Sequence, residues 1–434
     1  MTTRNIAACR SLSLAVIIGI FGVFNWGCPQ KSPVANSADA RVSKSEKAPA
    51  PSAKNDTKPT TKKAATPKPA TPAPPAEIWR RHAVPLIDSH VHIIPLPASV
   101  RLADHIFQKV NIQKFAMKSA GKVGSARYQA TKQVAAIFGD KTAFFINLDW
   151  RGIDDRNWGK REAKKLAIAM KEGASGIKIF KALGLGVRHE NGSLLKVDDR
   201  RLDPIFKMAA KTKAIIAWHV ADPVAFFDPI TKKNERYDEL SQAPEWSFHG
   251  QDFPSHKALL AARDRVLKRH PKTIFLGIHL ANHPESLDYV AKLLDTYPNL
   301  HVDTSARIPE IGRHPPKKTR AFFIKYQDRI MFGSDLIITP SSMQLGSVSE
   351  KPPTVKDAIE FYALHRRFFE THDRQFAHPT PIQGRWKIDG IGLSPDVLRK
   401  IYYTNADKLI FEPRRAWLKK NKATQPIAPV KKAQ

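Results

Sequence analysis

The sequence predicts an α/β protein, a (β/α)8 barrel preceded by a disordered N-terminal tether. Three observations carry that prediction. Eight short apolar runs alternate with helix-like segments from residue 85 onward, the pattern of repeated βα units around a parallel sheet. Metal-capable side chains fall at the C-terminal ends of those runs, the rim where barrel enzymes place their chemistry. With 434 residues, 42% of them hydrophobic, the chain has enough apolar surface for a large core.

The first strand is expected over residues 85–94 and carries His90 and His92 two positions apart. Alternate strand side chains share a face, so the two imidazoles converge, which makes half of a metal site. Asp88 has the same parity and is expected to steady them. Taken alone, the pair reads equally well as two histidines at a strand end. Further strands are expected at residues 113–119, 143–148, 176–180, 214–220, 273–280, 300–304 and 329–335. Helices are expected at 161–172, 202–211, 257–269, 286–296 and 317–326. Eight strands in this alternation fit a closed barrel better than an open doubly wound sheet. Two longer segments, 222–255 and 337–394, should stand over the C-terminal face. Phe226, Phe227, Trp246, Phe248 and Phe253 in the first of them read equally as a pocket wall and as ordinary packing.

The ends of the chain differ from this domain, which is expected over residues 77–412. Arg4 and Arg10 precede an apolar run at residues 12–24, short for a bilayer span but suited to a signal-peptide core. Residues 1–28 therefore read as an export signal. Gly27-Cys28 at its end resembles a lipoprotein signal with Cys28 lipidated, although Asn25 and Trp26 depart from that pattern. An exported protein of the cell envelope or periplasm is expected, meeting the membrane through that lipid anchor; an uncleaved N-terminal anchor and simple secretion with Cys28 incidental are the alternatives. Both cysteines, Cys9 and Cys28, lie in this leader, so the domain has no internal disulfide. Residues 29–76, rich in Pro, Ala, Lys, Thr and Ser, lack the apolar surface to offset ordering entropy and read as a flexible linker. The formal charge of +31 is spread unevenly: +6 on this linker, +7 on a basic tail at 413–434 and +2 on the leader leave +16 on the domain. No nucleic-acid-binding motif accompanies it. A solvated basic surface is the expectation, with attraction to anionic surfaces or acidic substrates as the alternative.

His90, His92, His219, His279 and Asp335 all fall at or near the ends of expected strands. A lone histidine on an apolar strand is usually a hydrogen-bonded core residue, but one metal centre explains five such positions together. At this point the sequence resembles the amidohydrolase superfamily, in its amidohydrolase-related branch that includes aminocarboxymuconate-semialdehyde decarboxylase. The carriers are Ile87-Asp-Ser-His-Val-His92, Trp218-His-Val220, Gly277-Ile-His-Leu280, Phe332-Gly-Ser-Asp335 and Ile401-Tyr-Tyr-Thr-Asn-Ala-Asp407, the last similar to the Asn-Ala that opens the family's final helix. The resemblance implies one divalent metal ion held by His90, His92, His219 and Asp335, with His279 and Asp335 catalytic. Lys178 stands where binuclear relatives carry a carboxylated lysine. The mononuclear reading makes it a substrate contact or a structural cation, and Lys178, Lys181, Arg188 and Arg307 read equally as contacts for a carboxylate and as surface charge.

Nitrogen and oxygen ligands with an open position suit zinc, which lowers the pKa of bound water to about 7 and polarises a carbonyl. Asp335 would accept the water's proton, and His279 would orient the water or stabilise the developing oxyanion. The expected function is a metal-dependent hydrolase of a small anionic substrate. A metal-dependent decarboxylase and a tethered, non-catalytic binding protein are the alternatives.

Overall fold

Every expected strand forms, and the eight are joined in one curled sheet. The structure, a computed structural model, describes residues 84–422. The leader with Cys28, the whole linker, residues 77–83 and the last twelve residues lie outside the described residues. The strands are β1 (Leu86–Ile93), β2 (Ile112–Met117), β3 (Thr142–Ile146), β4 (Gly176–Ile179), β5 (Ile215–Trp218), β6 (Ile274–Gly277), β7 (Leu300–Asp303) and β8 (Ile330–Met331), continued by β9 (Leu336–Ile338). Neighbours pair in parallel from β1 through β8, and β9 pairs in parallel with β1. A short β10 (Met343–Leu345) folds back antiparallel on β9.

The expected eighth strand is thus two half-strands, broken at residues 332–335. The break closes the barrel. Ser89 N–H donates to Phe332 O (3.0 Å) and Asp335 N–H to His90 O (2.9 Å). Gly333 permits this approach, because a Cβ there would fall 3.0 Å from His90 Cβ and 3.3 Å from Ser305 Cβ.

Each strand is followed by a helix: α1 (Pro97–Lys109), α2 (Ala126–Phe138), α3 (Trp158–Lys171), α4 (Asp203–Thr212), α5 (His256–Arg269), α6 (Leu287–Thr296), α7 (Pro316–Lys325) and α8 (Val355–Glu370). Ser125, Ser255 and Ser286 cap the N-termini of α2, α5 and α6, and Thr354 forms a reciprocal capping box with Asp357 on α8. The segment 337–394 is therefore less a loop over the rim than the eighth βα unit itself. Phe368 and Phe369 of α8 pack with Phe323, Phe369 also meets Tyr402, and His365, flanked by Phe361, meets Phe332 on the barrel's outside.

Strand alternation divides the core in two. Val91, Phe144, Ile177, Ile216 and Phe275 meet the helices. Ile87, Ala116, Phe145, Ala217, Leu276 and Met331 meet one another inside the barrel, where Ala406, Ile410 and Phe411 join them. Asn405 lies within a continuous helical stretch rather than opening a helix, and its amide donates to the carbonyls of Gln327 (2.6 Å) and Ile330 (2.7 Å) at the entry to β8. The expected basic tail likewise begins inside a final helix, α9 (Glu412–Lys422). Arg414 is buried there and donates to Gly173 O (2.9 Å). Among the described residues no helix is long and apolar enough to cross a membrane.

Candidate metal centre

β1 delivers His90 and His92 to the C-terminal rim, and the break in the eighth strand delivers Asp335. His90 Nε2 lies 3.2 Å from His92 Nε2, and Asp335 Oδ1 lies 3.3 Å and 3.2 Å from these two nitrogens. Among the described residues these three form the one group of donor atoms able to hold a metal ion. Both imidazoles are buried, whereas the Asp335 side chain stays partly open at 18% exposure.

Protonation favours ligation. Burial, reinforced by Lys178, holds His90 well below the usual imidazole range, and burial also lowers His92. Burial opposes the Asp335 charge, but the two imidazoles and Lys178 more than offset it and hold the carboxyl far below the usual range. Two neutral imidazoles and an ionised carboxylate are the species a divalent ion requires. The donor set fits the metal that the sequence implies.

The neighbouring residues fix that set. His90 Nδ1 lies 3.0 Å from Asp303 Oδ2 and 2.9 Å from Ser305 Oγ, and His92 Nδ1 contacts Ser119 Oγ. Asp88 does not steady the cluster in the expected way. A register shift between Asp88 and Val91 breaks the parity of β1, and Asp88 accepts from His90 N–H (3.0 Å), Ser334 N–H (3.1 Å) and Tyr362 Oη–H (2.8 Å). It braces the backbone of β1, the strand break and α8.

His279 does not sit on a strand. β6 ends at Gly277, and His279, Leu280, Ala281 and Asn282 have φ of 55°, 52°, 53° and 56°, one complete left-handed turn. Such residues each cost roughly 1–2 kcal/mol, so the turn needs outside support. Asp303 Oδ1 accepts from His279 N–H (2.9 Å), Asn282 Oδ1 from Val220 N–H (2.9 Å), and Arg263 donates to Ala281 O. His279 Nδ1 lies 2.8 Å from the Ser305 carbonyl, to which it must donate, so Nε2 keeps the lone pair. Burial, together with His219 and Arg307, keeps this imidazole neutral.

His219, the fourth expected ligand, stands outside the three-residue group. Its Nε2 lies 3.2 Å from Asp222 Oδ1, and its ring meets the His279 ring edge-on with centroids 4.4 Å apart. Burial pushes it down to about 4. Lys181 pairs with Asp222, and Arg188 is tied to Gly192 O (2.6 Å), which leaves neither as a free cation at the cluster.

Lys178, from β4, reaches it directly. Its Nζ lies 3.3 Å from His90 Nε2, and burial pushes its pKa down to about 8 against the pull of Asp335 and Asp303. Arg307 is buried, its Nη1 donates to Ala306 O (2.8 Å), and among the described residues no carboxylate pairs with it. The aromatics of 222–255 pack on one another, with Phe227 and Phe248 centroids 5.1 Å apart and Phe248 and Phe253 5.2 Å apart, while Lys181 lies 5.5 Å from the Trp246 ring centre. The sequence reading overlooked Asp303 and Ser305. The one available signal was an acidic residue at the end of the seventh strand, in line with the other rim residues.

Residues 87–411 match the protein family described as Amidohydrolase. No curated protein matches the chain. Among solved structures, 2,6-dihydroxybenzoate decarboxylase from Rhizobium is 12% identical with a TM-score of 0.43, over 76% of this chain and 98% of that one. 4-Oxalomesaconate hydratase from Rhodopseudomonas palustris is 14% identical at 0.44, over 78% and 99%. Manganese-bound 5-carboxyvanillate decarboxylase from Novosphingobium aromaticivorans is 13% identical at 0.41, over 76% and 98%.

Proposed function

Since the chain belongs to the amidohydrolase family, we propose that it is a metal-dependent hydrolase of a small anionic substrate. One divalent ion, zinc by the preference of a nitrogen and oxygen donor set, would be held by His90, His92 and Asp335, with His219 one ring away beside His279. Bound there, the ion supplies Lewis acidity and lowers the pKa of a water in its open position. The protein's own groups do the rest. Asp335, ionised and partly open, takes the proton from the attacking water. His279, with its Nε2 lone pair free, accepts a hydrogen bond from that water and orients it, and Asp335 then returns the proton it took to the leaving group.

The observation that carries the substrate class is Arg307, a buried guanidinium with no carboxylate partner among the described residues. Burying a cation without a counter-ion is costly. A substrate carboxylate would complete that pair and gain a charge-assisted contact, and Lys178 offers a second cation beside the ion. Metal analysis of the purified protein, followed by a screen of amides, lactones and aromatic acids, tests the reading. One bound divalent ion per chain and hydrolysis of an anionic amide or lactone are expected. Release of carbon dioxide from an aromatic acid without hydrolysis would replace the hydrolase with a decarboxylase on the same ligands. Protein that binds metal and substrate without turnover would make it a binding protein.

We also propose that the enzyme works in the cell envelope, on the support of the apolar run at 12–24 and the Gly27-Cys28 pair. Cys28→Ser should then release it from the membrane fraction, or leave it uncleaved. A mature chain beginning well beyond residue 28 would remove the lipid anchor.

A further inference from the structure

Resting on the metal site proposed above, we infer that Asp303 is a positioning residue which, through its two carboxylate oxygens, sets the tautomer of His90 and the backbone of His279 together. Asp303 ends β7 and is fully buried. Its oxygens are divided between two neighbours in the site. Oδ2 meets His90 Nδ1 at 3.0 Å. Oδ1 meets the His279 N–H at 2.9 Å, the Ser305 N–H at 3.2 Å and the Ser305 hydroxyl at 2.6 Å.

Both backbone groups can only donate, and the Ser305 hydroxyl donates to Oδ1 while its oxygen faces the two Nδ1 atoms of His90 (2.9 Å) and His279 (3.0 Å). A carboxylate is the side chain that accepts on both sides at once. His90 Nδ1 must then carry the proton, and Nε2 keeps its lone pair toward His92 and Asp335. On the other side, the same carboxylate holds the first residue of the left-handed turn (His279, φ 55°, ψ 44°). A strand and a turn distant in sequence are tied to one group. A metal-ligating imidazole is commonly oriented by a carboxylate on its other nitrogen, and loss of such a partner typically costs about 10- to 100-fold in metal affinity.

Asp303→Asn separates the two halves of this role. Three donors converge on the Oδ1 side and keep the amide oxygen there, so the amide NH2 faces His90 Nδ1. That contact demands a lone pair on Nδ1 and moves the proton to Nε2, where it blocks ligation.

The test is nitrogen-15 NMR of the histidine rings in the chelated, full-length protein, with the His90 signals assigned by their loss in His90→Gln. It is joined to Zn2+ affinity measured by competition with a chromophoric chelator. Wild type should show Nδ1–H and a bare Nε2 at His90. Asp303→Asn should show the reverse, with Zn2+ affinity lowered about 10- to 100-fold and the melting temperature of the chelated protein moved by only a few degrees. Ser305→Ala, which leaves both carboxylate oxygens in place, should keep the wild-type tautomer and lose less affinity. Nε2–H at His90 in wild type overturns the inference without recourse to any variant, even where Asp303→Asn fails to fold. So does an Asp303→Asn protein with unchanged tautomer and affinity, or a Ser305→Ala protein as impaired as Asp303→Asn. Wild-type protein that binds no Zn2+ would remove the metal reading, while the tautomer would still decide the role of Asp303.

Discussion

Asp335 holds a left-handed backbone (φ 64°) that asparagine tolerates as readily as aspartate, so Asp335→Asn tests charge with little disturbance of shape. It keeps an oxygen donor and removes the proton acceptor. Metal content should be largely retained while kcat falls by about 10²- to 10⁴-fold, the range for loss of a general base. A kcat within a few-fold of wild type on a confirmed substrate would reduce Asp335 to a structural ligand. Arg307→Met makes the complementary change. It removes the unpartnered cation but keeps an apolar stem of similar reach, so KM for an anionic substrate should rise by about 10-fold or more, the scale of one charge-assisted hydrogen bond. An unchanged KM would place the anion elsewhere.

At the scale of elements, the left-handed turn after β6 is where sequence reasoning fell short. A run of apolar residues reads as strand to its end, and nothing in His279-Leu-Ala281 signals positive φ; only Asn282, the last residue of the turn, is of a type that favours it. The turn exists because tertiary hydrogen bonds from Asp303, Arg263 and Asn282 offset its strain. Asn282→Ala removes the acceptor for the buried Val220 N–H, which should cost about 1–3 kcal/mol of stability. It should also lower kcat, because His279 rides on the same turn. Chemical denaturation and steady-state kinetics of this variant read the two effects, and a loss of stability with unchanged kcat would separate the turn from the chemistry. Asp88 gives the same lesson on β1. Alternation assigned it to the cluster, but one register shift turned it toward Ser334 and Tyr362.

For the whole molecule, pH and metal act on the same equilibrium. His219, His301, His365 and His378 are each pushed down to about 4 by burial, whereas in the unfolded chain they take up protons near 6.5. Between those values the unfolded state binds more protons, so stability falls as pH drops from about 6.5 to about 4. Asp88 works the other way. Burial raises it to about 6 and raises Asp303 as well, so both carboxyls favour the folded state as pH falls, but they are two groups against four. The melting temperature of chelated protein should therefore decline across this window, and His365→Leu should flatten the decline. A flat profile in wild type would mean that these imidazoles are open to water. Metal works through mass action: free ion at about 100 times its dissociation constant adds about 2.7 kcal/mol to the folded state. Removal by a chelator should lower the melting temperature correspondingly.

The sequence by itself determined the barrel and three of its site residues, because both are written in local periodicity. Strand alternation sorts Phe144 outward and Phe145 inward, and the same period of two brings His90 and His92 together. The end of the eighth apolar run placed Asp335 within reach of them. Local pattern carries no information about contacts between distant strands. Only the tertiary structure decided that the eighth strand breaks to close the barrel, that His279 sits on a left-handed turn and that His219 turns to Asp222. It also decided that Asp303, 213 residues beyond His90 in the chain, shares that imidazole's proton. Apart from the His219–Asp222 contact, which spans only three residues, each of these depends on a donor meeting an acceptor across the barrel, a relation that exists only once the strands are in register.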